Sequence, residues 1–465
     1  MRNLIKFLSL GLLCSLPVAG AWADGAVYAM TNALGNNEVN VYHRAADGNL
    51  SLVQTAATGG GGSGLQLAGV DSLGSAGSVQ VDPDHHFLFV VNTESAAENN
   101  GAGAYNTDCQ QGTITSFRVE PDGTLTFADR VFSGGLFPDS LAVRERHHDN
   151  NGRGRDEESD KRSDLLYVLN AGGPAVPICH LTPGTANTPN VTGFRVDRDG
   201  HLIPLDSTQS IDPGPATGPA GGVSCTAAAA AGFSALTGAP AADFQCGLNP
   251  PSFPRSPAQV RFTPKGDQLV VTVKGTNTIY VFPVDDDGSV DQPTITQAPG
   301  PALPSFFGFT FDKNQHLLVT ELFGTATSIP KGGAGALSSF TITGNRHLQP
   351  ISSDVADGGT AACWIALEPL AGRFAYVANN LSASISSYTV GNNGVVTLLN
   401  GTAAPGSGPN DLAVASEGSN SWLYVVDAGT GTVGAFHING DGSLTAITGG
   451  SGLPVGRSAQ GLAAF

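Results

Sequence analysis

Charge is scarce in these 465 residues, and basic charge scarcest of all: 22 Lys and Arg stand against 39 Asp and Glu, a formal net charge of −17. So acidic a chain repels phosphate backbones and anionic headgroups, so neither nucleic acid nor a membrane surface is an expected partner. Helical periodicity is missing throughout. Cysteine pairs at metal-binding spacing are missing too, which argues against a structural zinc site. The glycine run from Gly59 to Gly64 leads into no helix signal, so it is not a phosphate-cradling loop. No cofactor is expected on these grounds. Beyond the first residues, no segment is apolar for the roughly 20 residues that a membrane-crossing helix needs.

The N-terminus has its own pattern. Arg2 and Lys6 precede an apolar run from Phe7 to Val18, followed by Ala21-Trp22-Ala23. A basic start, a short apolar middle and small residues two apart predict a secretory signal over residues 1–23, cleaved after Ala23. The mature chain, 24–465, is then expected in the periplasm or outside the cell. Removing Cys14 with the signal leaves Cys109, Cys179, Cys225, Cys246 and Cys363, in a compartment that permits disulfides. Cys225–Cys246 is the favoured pair and Cys109–Cys179 the second. Cys363, in the apolar run Cys363-Trp364-Ile365-Ala366-Leu367, reads as a core residue.

What the sequence has in quantity is turns: 62 Gly and 29 Pro. Between them one pattern recurs. Val79-Gln80-Val81 is followed by Phe87-Leu88-Phe89-Val90-Val91-Asn92, then Ile114-Thr115-Ser116-Phe117-Arg118-Val119, Asp122-Gly123 and Leu125-Thr126-Phe127. The next unit has Leu141-Ala142-Val143, Leu166-Tyr167-Val168-Leu169-Asn170, Val191 to Val196, and Asp199-Gly200. Further units begin near Val260, Gly308, Trp364 and Leu412. Alternation with a period of two, punctuated by Asp-Gly, marks antiparallel strands joined by tight hairpins. Four strands per unit at a spacing of about 45 residues predicts an all-β propeller. Val27 to Met30 reads as a second strand lacking a first, and Gly461 to Phe465 as a first strand lacking a second. Together they complete one blade, which makes seven and closes the ring. Insertions over 147–163 and 212–250 are too polar or too rich in Gly, Ala and Pro to pack a core, and are expected as loops. Asp149, Asn151 and Gly154 in the first faintly match a calcium loop, with Arg153 at a ligand position.

The segments Leu166-Tyr167-Val168-Leu169-Asn170, Ala375-Tyr376-Val377-Ala378-Asn379 and Leu423-Tyr424-Val425-Val426-Asp427, with the Asp-Gly-x-Leu turns, resemble the Tyr-Val-x-Asn repeat of the lactonase family of seven-bladed propellers. That family includes 6-phosphogluconolactonases and carboxymuconate cyclases. The resemblance implies lactone hydrolysis, or cycloisomerisation of a muconate-type acid, on a small carboxylated substrate. The family's enzyme segment reads Pro-Arg-His-x-x-Phe-x-Pro, with Asn-Glu after the next strand. Here it reads Pro257-Ala258-Gln259-Val260-Arg261-Phe262-Thr263-Pro264, and the acidic position is taken by Val273-Lys274. Gln cannot exchange a proton near neutral pH as His does.

In such a ring, first strands begin and second strands end on one face, around the central channel. Asp139, Gln259, Cys363, Asn410, Asp411 and Gln460 start first strands. Asn92, Asn170, Glu321, Asn379 and Asp427 end second strands. Asn and Asp there also cap turns. Glu321 breaks the series and follows the aromatic Phe306-Phe307-Gly308-Phe309, so it is the expected proton-transfer group, with Asp139 and Asp411 as acidic partners. Arg255 and Arg457 are expected to hold a substrate carboxylate, and Gln259, Asn410 and Gln460 to hydrogen-bond the ligand. No histidine falls at this mouth, which argues against a histidine triad. The alternative is a non-catalytic propeller that binds a ligand or an unidentified protein on that face. A monomer is expected in either case.

Overall fold

A computed structural model describes residues 25–33, 35–64, 71, 73–95, 112–144, 164–172, 189–211, 257–274, 277–297, 306–322, 333–456 and 458–465. The signal segment, both long insertions, the calcium-like loop, Arg255, Arg457 and every cysteine but Cys363 lie outside them.

The described strands form seven four-stranded antiparallel sheets, each running from an inner first strand to an outer fourth. The second strands show why. Phe87–Asn92, Gln268–Val273 and Phe374–Asn379 are apolar on both faces and buried almost throughout, whereas outer strands such as Val396–Pro405 are largely exposed. A sheet with two apolar faces must be covered twice. The neighbours do it. Leu165, Tyr167 and Leu169 of blade three pack with Val260, Phe262, Leu269 and Val271 of blade four. Val270, Ile279 and Val281 of blade four pack with Phe306, Phe309, Leu317 and Val319 of blade five. The core is therefore a set of seams between blades.

The ring closes as the terminal pattern predicts. Leu462–Ala464 pairs antiparallel with Val27, Tyr28 and Ala29, so residues from both ends of the chain build blade one. Asp411, on the first strand of blade seven, accepts the Leu462 amide at 3.2 Å and latches that strand to its neighbour.

The repeated Tyr and Asp-Gly have one joint purpose. Tyr28 donates its hydroxyl to the Gly123 carbonyl of the next blade at 2.9 Å, Tyr376 to Gly442 at 3.0 Å and Tyr424 to Gly48 at 2.9 Å; Tyr167 does the same to Gly288. Each acceptor glycine has a positive φ, near 84° at Gly48 and Gly442, so its carbonyl can turn toward the neighbouring blade. Blade two carries Phe89 at the tyrosine position. There Ser116, directly opposite Phe89, donates to the Gly200 carbonyl at 2.6 Å instead. Losing one such bond should cost about 1 kcal/mol. Tyr424→Phe is therefore expected to lower the unfolding free energy by that amount, read as a lower urea midpoint at unchanged m. Phe89→Tyr should give no matching gain, because the Gly200 carbonyl is already engaged.

Candidate functional site

First strands in this ring carry an irregularity that the alternation pattern hides. The pairing of Pro138–Arg144 skips Asp139, that of Pro257–Phe262 skips Ala258, and that of Ala362–Leu367 skips Cys363. In Phe306–Phe311 it skips Phe307 and Gly308, and in Pro409–Glu417 it skips Asn410 and Asp411. A bulge inserts one unpaired residue and re-aims its side chain. Here the unpaired residues gather on the axis. Lys274 follows the second strand of blade four, with its ammonium 5.3 Å from the centre of the Phe307 ring. Asp139 and Cys363 both feel the Lys274 and Asp71 charges.

The axis is filled. Residues 73–78 are buried and cross it as a strap. Lys274 donates to the carbonyls of Gly74 and Pro257, the latter at 3.1 Å. Trp364 Nε1 and Gln460 Nε2 both donate to the Ser75 carbonyl, at 3.0 and 2.6 Å. Ser140 Oγ donates to the Ala76 carbonyl at 2.6 Å, and Ser75 Oγ to the Asp139 carbonyl at 2.7 Å. Asp71 accepts the Gly74 amide at 2.7 Å and Gln460 Oε1 the Leu73 amide at 3.1 Å.

Burial without full compensation sets the electrostatics. Burial raises Asp71 to about 6, opposed first by the Lys274 charge. Burial pushes Asp139 well above the usual carboxylate range, and neither of its carboxylate oxygens has a hydrogen-bond partner among the described residues. Burial also raises Asp411 to about 8 and lowers Lys274 to about 8, the nearby Asp139 and Asp71 holding it from falling further. A lysine poised near 8 between carboxylates is a proton-exchange group as well as a charge.

The expected residues divide into three sets. Asp139 and Asp411 lie in the axial group. Gln460 is there too, with its amide engaged by the strap, while Asn410 takes a hydrogen bond from Asn380 and donates to Ala459 O at 3.3 Å. Gln259 belongs to the blade-four to blade-five seam: because the bulge falls at Ala258, Gln259 pairs with Thr272 and its Oε1 accepts the Phe309 amide at 2.6 Å. Glu321 stands apart. It occupies the second-strand end where Asn92 and Asn379 donate to Thr115 and Ser386 two residues into the third strand. Ser338 is the equivalent partner of Glu321, Asp354 lies beside it, and burial raises its carboxyl to about 8. Lys274 and Asp71 were not singled out from sequence. The available signal was a lysine ending the apolar strand Gln268–Val273, where sister strands end in Asn.

With this geometry in view, comparison with known proteins is informative. Residues 255–454 match the family model described as Lactonase, 7-bladed beta-propeller. The matched stretch runs from the start of blade four through blade seven and is less than half of the chain. No curated protein matches. Among solved structures, the periplasmic gluconolactonase of Pseudomonas aeruginosa is similar with a TM-score of 0.58 at 15% identity, over 94% of this chain and 98% of that one. A Bacteroides fragilis protein named as a candidate 6-phosphogluconolactonase gives the same score and identity over 96% and 99%. At that identity the likeness is one of fold.

The axial charges make the stability of this ring depend on pH. A buried acid whose pKa is raised in the folded state keeps its proton where the unfolded chain has lost it, so stability declines as pH climbs from near 4 toward 8. Lys274 has the opposite effect above that window: the folded state binds fewer protons than the unfolded between about 8 and 10.5, so stability recovers as pH rises. Asp139→Asn removes one buried acid that has no partner to lose. The variant is expected to gain stability relative to wild type as pH goes from 5 to 8, measured by urea midpoints at both values; a difference independent of pH would contradict the raised carboxyl.

Proposed function

We propose that the chain is a lactonase-like hydrolase, exported from the cytoplasm, that opens a small polyhydroxylated, carboxylated lactone on the axis of the ring. The observation that carries this reading is Asp139: a buried carboxyl whose two oxygens have no hydrogen-bond partner among the described residues, within the electrostatic reach of a lysine held near 8. The family match and the gluconolactonase named among the similar structures support the reaction class. The N-terminal pattern of Arg2, Lys6 and the run to Ala23 supports export.

In the proposed reaction, ionised Asp139 takes a proton from water as that water attacks the lactone carbonyl carbon. Lys274 faces the negative charge that grows on the carbonyl oxygen. The ring C–O bond then breaks, and Asp139 returns the proton to the departing oxygen. A muconate-type cycloisomerisation differs in kind: a substrate carboxylate oxygen adds to a C=C bond, and protonated Asp139 delivers its proton to the neighbouring carbon. Asn410 and Asp411 act through the backbone they hold and are positioning residues, whereas Gln460 is a ligand-binding donor. Arg255 and Arg457 are assigned the substrate carboxylate. Glu321, set among Ser338 and Asp354, is the lesser candidate for proton transfer.

A second reading, a propeller that binds a ligand or protein without chemistry, is favoured by Gln259 at the family's histidine position and by the filled axis.

Purified protein assayed on a panel of aldonolactones separates the two. Hydrolysis well above background is expected, with kcat/KM rising with pH as Asp139 loses its proton and falling again near pH 8 as Lys274 loses its charge. Asp139→Asn should lower kcat/KM by about 10²-fold or more, whereas Glu321→Gln should change it by less than about threefold, being away from the reacting atoms. Loss of turnover in Glu321→Gln with Asp139→Asn unaffected would move the chemistry to blade five. No turnover on any lactone would leave the binding reading.

A further inference from the structure

The strap is held in the manner of a ligand. Three successive carbonyls, of Gly74, Ser75 and Ala76, are met by side-chain donors from four different blades: Lys274, Trp364, Gln460 and Ser140. Two of those donors converge on the single oxygen of Ser75. Backbone ties are few by comparison, with Ala76 donating to Ala258 O at 2.9 Å and Leu141 to Gly77 O at 2.9 Å. Leu73 and Ala76 pack into the neighbouring apolar seams, while the carbonyls of Gly74, Ser75 and Ala76 face the side-chain donors.

The match is also incomplete in one direction. The strap gives acceptors to Lys274, Trp364, Gln460 and Ser140, but among the described residues nothing donates to either carboxylate oxygen of Asp139 or to Asp71 Oδ2. A buried acceptor left unmade is costly. A molecule with several hydroxyls would complete both halves, since each hydroxyl accepts from Lys274, Trp364 or Gln460 and donates to Asp139 or Asp71.

We infer that residues 73–77 occupy the ligand's place in the resting protein, and that a polyhydroxylated acid or lactone binds by displacing them from the same donors. This rests on the axis being the lactone site. The strap then sets the apparent affinity, because ligand sees only the fraction of molecules in which the axis is vacated.

D-gluconate, the open acid that cannot be hydrolysed, is the probe. Hydrogen exchange followed by mass spectrometry should show the Leu73 and Ala76 amides, now bonded to Gln460 Oε1 and Ala258 O, exchanging about tenfold faster with saturating gluconate. Gly74 has φ near 64°, which proline cannot adopt. Gly74→Pro should therefore unseat the strap and tighten gluconate binding, read by calorimetry, by about tenfold. Gluconate bound with the strap amides still protected would overturn the inference. So would a folded Gly74→Pro of unchanged affinity, or failure of both proteins to bind. If Gly74→Pro does not fold, exchange in the wild-type protein decides alone. Failure of the hydrolase reading looks different: gluconate displaces the strap, yet no lactone is turned over.

Discussion

Everything in this molecule depends on a geometric constraint: an inner strand of each sheet must end near a common axis while both faces of that sheet stay covered by neighbours. The seams supply the apolar burial, and the shared terminal blade turns a row of sheets into a ring. Once closed, the ring has no unpaired faces, and its inner strand ends have nowhere to point but toward one another. The bulges at Asp139, Ala258, Phe307, Cys363 and Asn410 convert that crowding into chemistry, since each frees one side chain from the pleat.

Titratable groups packed on an axis cannot all be charged. Three carboxyls and one ammonium share the centre, and burial raises the acids and lowers the lysine until their ranges overlap near neutrality. That overlap is a cost to stability, and it is the property a proton-transfer site requires. The two latches around it, Asp411 on the closing strand and Gln460 on the strap, bind the closure of the ring to the contents of the axis.

The architecture was legible because its signals are periodic: alternation, Asp-Gly turns, and Tyr28 and Gly461 marking two halves of one blade. The site was legible only in part. Asp139, Asn410, Asp411 and Gln460 were placed at strand starts and are on the axis. Gln259 was placed with them, but the bulge is one residue earlier, and a single inserted residue leaves no trace in an alternation of small and apolar side chains. Glu321 drew attention as a break in a series of Asn and Asp. The structure sets it with Ser338, at the position where the series serves the third strand, while the equally conspicuous Lys274 turned out to reach the axis. The strap had no sequence signal at all, because Gly74-Ser75-Ala76-Gly77 is the composition of any loop.

The most direct test of the central claim is a crystal structure of the protein with D-gluconate bound. Density for the acid is expected on the axis, with hydroxyls within hydrogen-bond distance of Asp139 and its oxygens facing Lys274 and Trp364. Density confined to the outer strands or to the Asp-Gly turn face, with the strap in place and Asp139 untouched, would contradict the account.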